Sequence, residues 1–236
     1  MKIGKRGGTA LIAGMLILAV GVGVGTVWHT AVPVMGELND TYTLLIDAGH
    51  GGEDGGAVSI TGVSESKINL SIACKLEDLL ALYGVQPIML RREDISLHDA
   101  EAKTLREKKV SDLKNRVKRV EETEVPFFIS IHQNSYPEKK YHGAQVFYAN
   151  TMGSEQLGQQ MQGVLNEKLD PGNTRAAKPI PDSVYLMNHI TCPAILVECG
   201  FLTNPEEEAL LRTMEYQRKI AVCLTGGLLT ASIGQL

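Results

Sequence analysis

Two histidines and two glutamates in this sequence are of the types that bind a metal ion and activate water. His50 ends the segment LLIDAGH, His132 ends PFFISIH and Glu198 ends AILVE, while Glu65 follows the glycine-rich loop GGEDGGAVSITGVS. Two imidazoles and one carboxylate suit a hydrolytic zinc ion with an open fourth position, and the other carboxylate is then free to act as a base. The residues alone do not decide which glutamate has which role.

Each of these residues also has a purely structural explanation. A histidine at a strand end is commonly a hydrogen-bonded polar residue, and glycines mark turns wherever they occur. Glu65 before a helix would interact favourably with the helix dipole. Glu198 is harder to explain in this way, because an unpaired carboxylate closing an apolar run is costly to bury.

The elements that must position these residues alternate along the chain. Short apolar runs predict strands, and segments with apolar residues three and four apart predict helices. This alternation predicts an α/β fold: a single layered domain with a central, mostly parallel or mixed sheet flanked by helices. The predicted strands are TYTLLID, VQPIML, PFFISIH, GAQVFYA and AILVECGF; the predicted helices span 66–83, 98–122, 154–169 and 214–229, with a further helix capped by Asn204 in a capping box with Glu207. Strand ends collect at one rim of such a sheet, where its sites lie.

The first 40 residues differ from the rest. Lys2, Lys5 and Arg6 precede an uncharged stretch from Thr9 to Trp28, which is long enough to cross a bilayer as a helix. After Trp28 the sequence offers only weak candidates for the small-residue pattern of a signal cleavage site. An uncleaved membrane anchor is therefore favoured over a cleaved signal. We therefore predict a signal or membrane anchor with a linker over 1–40 and a catalytic domain over 41–236, outside the cytoplasmic membrane.

Composition and motifs exclude other classes of protein. The net charge of -4 offers no basic surface for nucleic acid, which is not expected as a partner. No GxSxG motif supports a serine hydrolase. The four cysteines have no metal-binding or redox spacing and are predicted to be structural thiols; they are Cys74, Cys192, Cys199 and Cys223.

An ordered set of motifs across residues 42–232 resembles a known family. The chain is similar to the zinc-dependent N-acetylmuramoyl-L-alanine amidases, the peptidoglycan amidase type 3 family. The motifs that carry this resemblance are LLIDAGHGGEDGGA, SESKINL, IMLRRED, LKNRVKRV, FFISIHQNS, YHGAQVFYAN and ILVECGFLTNPEE. Ala48, Cys199 and Thr203 depart from the usual pattern of the family, and none of them matches a ligand.

The resemblance assigns roles that the residues alone left open. It implies one Zn²⁺ per chain, with His50, Glu65 and His132 as ligands and Glu198 as the catalytic residue. Four further positions match family residues or lie close to a ligand in sequence, and we expect them to orient a ligand, bind substrate or form ion pairs or local turn contacts; they are Asp47, Asn134, Arg92 and Arg116.

The resemblance also implies a substrate and partners. The substrate would be peptidoglycan, cut between the lactyl group of N-acetylmuramic acid and L-alanine. The layout is most like members that act on the spore cortex in germination, where a deacetylase acts after amidase cleavage to give muramic δ-lactam and some relatives need a lipoprotein partner. Two alternatives stay open: a non-catalytic cell-wall binding protein, and a zinc peptidase that cleaves within the stem peptide.

Overall fold

Runs of buried apolar residues form the six strands of one mixed sheet. The computed structural model describes residues 44–123 and 127–231. The strands are β1 (Leu44–Ala48), β2 (Ile88–Met89), β3 (Phe127–Asn134), β4 (Gln145–Tyr148), β5 (Lys178–Pro179) and β6 (Ala194–Phe201). Their order in the sheet is β2-β1-β3-β6-β4-β5, and β4 runs antiparallel to β6 while β1, β2, β3 and β6 are parallel. The predicted α/β class with a mixed sheet is confirmed.

Helices cover both faces of the sheet. The helices are α1 (Glu65–Leu82), α2 (Leu105–Glu122), α3 (Ser154–Val164, continued by a π-helical turn over Leu165–Leu169), α4 (Pro205–Leu211) and α5 (Met214–Thr230). Apolar side chains from α1, α3, α4 and α5 pack on one face. On the other face the apolar side chains of α2 pack with a short 3-10 turn at Leu186–Asn188. The two cores bury both faces of the central strands, which explains their continuous apolar sequences.

One predicted helix start and one predicted capping box need correction. The helix predicted from residue 98 begins at Leu105, because Thr104 and Glu107 form a capping box that fixes the start there. At α4, Asn204 caps the helix as predicted, but the side chain of Glu207 does not return to the cap. It accepts hydrogen bonds from the backbone N–H groups of Gly143 and Phe201 instead, at 2.9 and 2.7 Å.

Two further predictions concern the N-terminal segment and the four cysteines. The predicted signal or anchor over 1–40 lies outside the described residues. Within residues 44–123 and 127–231, none of the helices is both long and apolar enough to span a bilayer. All four cysteines lie in this part of the chain as free thiols, which agrees with the prediction of structural thiols.

Candidate metal centre

Three donor side chains converge at the carboxyl ends of β1 and β3. Nε2 of His50 lies 3.3 Å from Oε2 of Glu65, and Nδ1 of His132 lies 2.9 Å from Oε1 of the same carboxylate. One ligand atom from each residue lies within 4.8 Å of the other two. The two imidazole rings meet edge to face, with centroids 5.0 Å apart. Two nitrogens and one oxygen are a donor set that suits zinc.

The glycine-rich loop after β1 brings His50 back towards β3. His50 adopts a left-handed backbone conformation with φ of 62°, which is uncommon for a residue with a side chain. A Cβ atom on Gly49 would lie 2.2 Å from the ring of His132, so that ring packs directly on the glycine backbone. Gly56 has φ of 69°, and a Cβ there would lie 2.5 Å from Oε2 of Glu65. Glycine is therefore required at both positions for the cluster to close.

A buried arginine ties this loop to the domain. The guanidinium of Arg116 on α2 forms ion pairs with Asp47 in β1 and with Asp112, and its Nη2 donates to the carbonyl of His50 at 2.7 Å. Asp47 also accepts a hydrogen bond of 2.7 Å from the hydroxyl of Ser130. Arg116 and Asp47 are almost fully buried. The ion pair therefore fixes the position of the His50 backbone without contacting the three candidate donor atoms.

A second buried arginine holds the two carbonyls that precede His50. Nε of Arg91 donates to the carbonyl of Ala48 at 2.8 Å, and its Nη2 donates to that of Gly49 at 3.0 Å. The same Nη2 lies 3.0 Å from the carbonyl of Ser66 at the start of α1. Arg91 therefore connects the His50 loop to the helix that carries Glu65.

Hydrogen bonds orient the Glu65 carboxylate at the start of α1. Its Oε2 accepts from the backbone N–H of Ala57 at 2.9 Å, and its Oε1 accepts from the backbone N–H of Gln133 at 3.1 Å. The side-chain amide of Asn69, one turn along α1, also donates to Oε1, at 3.2 Å. Asn69 is held in turn by the side chain of Gln133. Both carboxylate oxygens are thus fixed by donors other than histidine.

The electrostatics of the cluster favour a bound cation. Burial opposes charge on His50, but its hydrogen bonds to the carboxylates of Asp54 and Glu65 outweigh this and raise its pKa to about 9. Burial also opposes charge on Glu65, while hydrogen bonds with His132 and His50 hold the pKa of this carboxyl well below its usual range. The anionic carboxylate of Glu65 lies between two imidazole nitrogens, and at such a place a metal ion can replace a proton.

Glu198 in β6 lies beside these three residues. The register of the sheet pairs it with His132 in the neighbouring strand β3. Its Oε2 is inaccessible to solvent and has no hydrogen-bond partner among the described residues. Burial raises the pKa of this carboxyl to about 7, and the nearby charges of His132 and Glu65 act in opposite directions on it. A carboxyl with this pKa can both accept and donate a proton near neutral pH.

The other four predicted residues lie in different settings. Asp47 and Arg116 form the buried ion pair that supports His50. Asn134 ends β3, two residues beyond His132, and its backbone carbonyl accepts from Leu202. Arg92 does not reach the cluster: its exposed side chain pairs with Glu77 on α1. The neighbouring Arg91, which the motif IMLRRED also contains, makes the contacts to the loop instead.

Two residues that hold the cluster or the loop of His50 were not found from sequence. Arg91 is buried although it sits next to an exposed arginine, and no periodic pattern in the short β2 region distinguishes the two. Asn69 lies four residues after Glu65, which places both on the same side of a helix. That spacing was a usable signal for Asn69, because a buried amide in an otherwise apolar helix face needs partners.

Comparisons with known proteins agree with this geometry. The family model described as N-acetylmuramoyl-L-alanine amidase matches residues 44–230. The germination-specific N-acetylmuramoyl-L-alanine amidase of Bacillus subtilis (strain 168) is 36% identical over 200 residues, covering 84% of this chain and 81% of that protein. The CwlD amidase of Clostridioides difficile, solved in complex with the GerS lipoprotein, superposes with a TM-score of 0.77 at 39% identity, covering 80% of this chain and 98% of that one.

A second solved structure extends the comparison. The N-acetylmuramoyl-L-alanine amidase of Clostridium difficile 630 superposes with a TM-score of 0.69 at 30% identity, covering 80% of this chain and 96% of that chain. The resemblance found in the sequence motifs and the prediction of an amidase are thereby confirmed. The chain belongs to the N-acetylmuramoyl-L-alanine amidase family of peptidoglycan hydrolases.

Proposed function

We propose that this amidase is zinc-dependent and that it hydrolyses the amide between the lactyl group of N-acetylmuramic acid and L-alanine. The observation that carries this proposal is the convergence of His50, Glu65 and His132 within 4.8 Å, beside the unpartnered carboxylate oxygen of Glu198. The three converging residues would hold the ion. When bound, zinc supplies a Lewis acid that polarises the amide carbonyl and acidifies a water molecule.

Glu198 supplies the proton transfer in this proposal. As a carboxylate, Glu198 takes a proton from the attacking water, and it then delivers that proton to the departing amine of L-alanine. Desolvation raises its pKa to about 7, so the carboxylate binds a proton strongly enough to take it from water and weakly enough to give it up again. Glu65 is less suited to this proton transfer, because both of its carboxylate oxygens already accept hydrogen bonds, one from Ala57 and one from Asn69.

The test is digestion of purified peptidoglycan with the full-length chain. We expect zinc-loaded protein to release peptides with a free L-alanine amine, identified by mass spectrometry, and chelator to stop this release. A Glu198→Gln variant should bind zinc in the same ratio but lose turnover by at least about 100-fold, the usual contribution of a general acid-base group. A zinc peptidase would instead free an amine within the stem, and an intact muramoyl linkage under all conditions would contradict the proposal.

We further propose a role in the spore cortex, outside the cytoplasmic membrane, with the N-terminal segment acting as signal or anchor. The similarity to a germination-specific amidase supports this, and the solved complex of a similar amidase with a lipoprotein supports a lipoprotein partner here. A deacetylase would act after the amidase. Spores that lack this protein should then lack muramic δ-lactam in their cortex, and normal δ-lactam content would exclude the role.

A further inference from the structure

A β-bulge in β6 places Phe201 on the same face of the sheet as Glu198. His132 pairs with Glu198 and Asn134 pairs with Phe201, so two steps along β3 correspond to three steps along β6. Residues that pair across strands point to the same face, and His132 and Asn134 share a face because they are two apart in a regular strand. Phe201 therefore faces the same side as the proposed catalytic carboxylate. Two residues of a strand span about 7 Å, so the His132–Glu198 pair lies about 7 Å along the sheet from the Asn134–Phe201 pair.

A loop between β3 and β4 is fixed beside Phe201. The backbone N–H of Tyr136 donates to the hydroxyl of Thr203 at 3.2 Å, and the side chain of Asn204 donates to the carbonyl of Lys139 at 2.9 Å. At its end, this loop is held by the buried carboxylate of Glu207, which accepts from the backbone N–H groups of Gly143 and Phe201. The loop and the strand end are thus joined through α4.

Two exposed tyrosine rings and a half-buried arginine surround the buried ring of Phe201 here. Tyr141 packs edge to face on Tyr136 with centroids 5.2 Å apart, and it lies 6.3 Å from the ring of Phe201. The guanidinium of Arg175 lies 5.0 Å from the centroid of Phe201, within the range of a cation–π contact. Tyr136 and Tyr141 are 49% and 37% exposed, whereas Phe201 is buried, so the two tyrosine rings are the ones accessible to a ligand.

Arg175 is fixed at one end and free at the other. Its backbone N–H donates to the side chain of Asn173 at 3.2 Å, and its carbonyl accepts from the side chain of Asn166 at 2.8 Å. Its Nε donates to the carbonyl of His142 at 3.2 Å. Within residues 44–123 and 127–231, neither terminal nitrogen has an acceptor and no carboxylate forms an ion pair with it. Two parallel donors in a fixed orientation match the geometry of a carboxylate.

We propose that Arg175, its guanidinium held against the buried ring of Phe201, forms together with the exposed ring of Tyr141 a subsite that binds a free carboxylate of the stem peptide next to the scissile amide. This inference rests on the proposed function. In the stem, the residue after L-alanine is a glutamate linked through its γ-carboxyl, which leaves an α-carboxylate that is either free or amidated. Two residues of extended chain cover about 7 Å, which equals the spacing along the sheet from Glu198 to Phe201. The glycan side of the substrate carries no such anion once the lactyl carboxyl is in the amide.

The experiment compares two muropeptides that differ only at this carboxylate. Full-length zinc-loaded protein is given a disaccharide peptide whose second residue is γ-linked glutamate or its α-amide, and kcat/KM is measured for each. The wild type should prefer the acid by about 10-fold or more, the contribution of a charge-assisted hydrogen bond. Arg175→Gln should lose this preference, while Arg175→Lys should keep part of it because the charge remains and the fork is lost.

A binding measurement separates the subsite from the chemistry. The affinity of the two released peptides, acid and amide, is measured by calorimetry for wild type and Arg175→Gln, with thermal unfolding as a check on folding. Arg218→Gln on the exposed side of α5 is the matched control and should keep the wild-type ratio. If the acid and amide bind the wild type equally, or if Arg175→Gln keeps their ratio, the subsite is wrong. If no muramoyl amide is cut, the proposed function fails, and the binding ratio still decides the subsite.

Discussion

Replacing Arg116 by methionine should destabilise the domain and loosen the metal centre together. Arg116 is 2% exposed and forms ion pairs with Asp47 and Asp112, whose side chains are 1% and 11% exposed. Methionine fills a similar volume but leaves both carboxylates without the cation. It also removes the donor to the carbonyl of His50.

The cost follows from the burial of those partners. Removing one member of a buried ion pair costs about 3–5 kcal/mol, because a buried charge is left uncompensated. Folded domains are stable by only about 5–15 kcal/mol, so this is a large fraction of the total. For a domain of this size, about 2–4 °C is lost per kcal/mol, and the melting temperature should fall by about 6–20 °C. Zinc affinity should fall about 10-fold or more, since groups that orient metal ligands contribute that much.

The assay is urea unfolding of the zinc-free protein, with zinc titration in a second series. Arg92→Met is the matched control, because its exposed ion pair with Glu77 should contribute no more than about 1 kcal/mol. Adding Asp47→Asn to Arg116→Met should recover part of the loss, since a neutral amide is less costly to bury than a carboxylate. Equal losses in Arg116→Met and Arg92→Met would refute the reasoning.

Three further predictions address the glycine-rich loop, the carboxyl of Glu198 that we propose to be catalytic, and a helix end. Gly56→Ala should weaken zinc binding, because its Cβ would lie 2.5 Å from Oε2 of Glu65; Gly163→Ala, with open space around it, should not, and equal zinc affinities would refute this. In zinc-free protein, burial raises the pKa of Glu198 from 4.5 to about 7, so the folded state keeps a proton that the unfolded chain loses. Wild type should therefore lose stability relative to Glu198→Gln as pH rises between these values, and parallel curves of unfolding free energy against pH would contradict this. Thr104→Ala should cost about 1 kcal/mol in urea unfolding through the lost capping box, and an unchanged midpoint would count against that role.

The convergence of the cluster was predictable because of strand direction. Parallel strands β1, β3 and β6 have their carboxyl ends at one edge, so polar residues that follow three separate apolar runs must come close together. His50, His132 and Glu198 were found in this way. Glu65 was a candidate on weaker grounds, since the 14 residues between His50 and Glu65 contain glycines that allow many paths, and the family motifs alone indicated which glutamate has which role.

The sequence did not predict which side chain points inwards where a shift of one position decides it. Arg91 and Arg92 are adjacent after a strand of two residues, so the sequence contains no alternation long enough to say which one points inwards. The predicted capping role of Glu207 was wrong for another reason. Its spacing from Asn204 is that of a capping box, but tertiary contacts offered its carboxylate two buried N–H groups, which need a partner more than the exposed N-cap does.

The left-handed conformation of His50 and the two buried arginines belong together. A non-glycine residue in such a conformation costs about 1–3 kcal/mol and persists only where its surroundings impose it. Here the carbonyls of Ala48, Gly49 and His50 are each held by a guanidinium, and both arginines are anchored in the core by contacts that do not involve the loop. Those contacts offset the local strain and fix the imidazole towards Glu65. A glycine at this position would relieve the strain, but it would remove the imidazole that the proposed metal site needs.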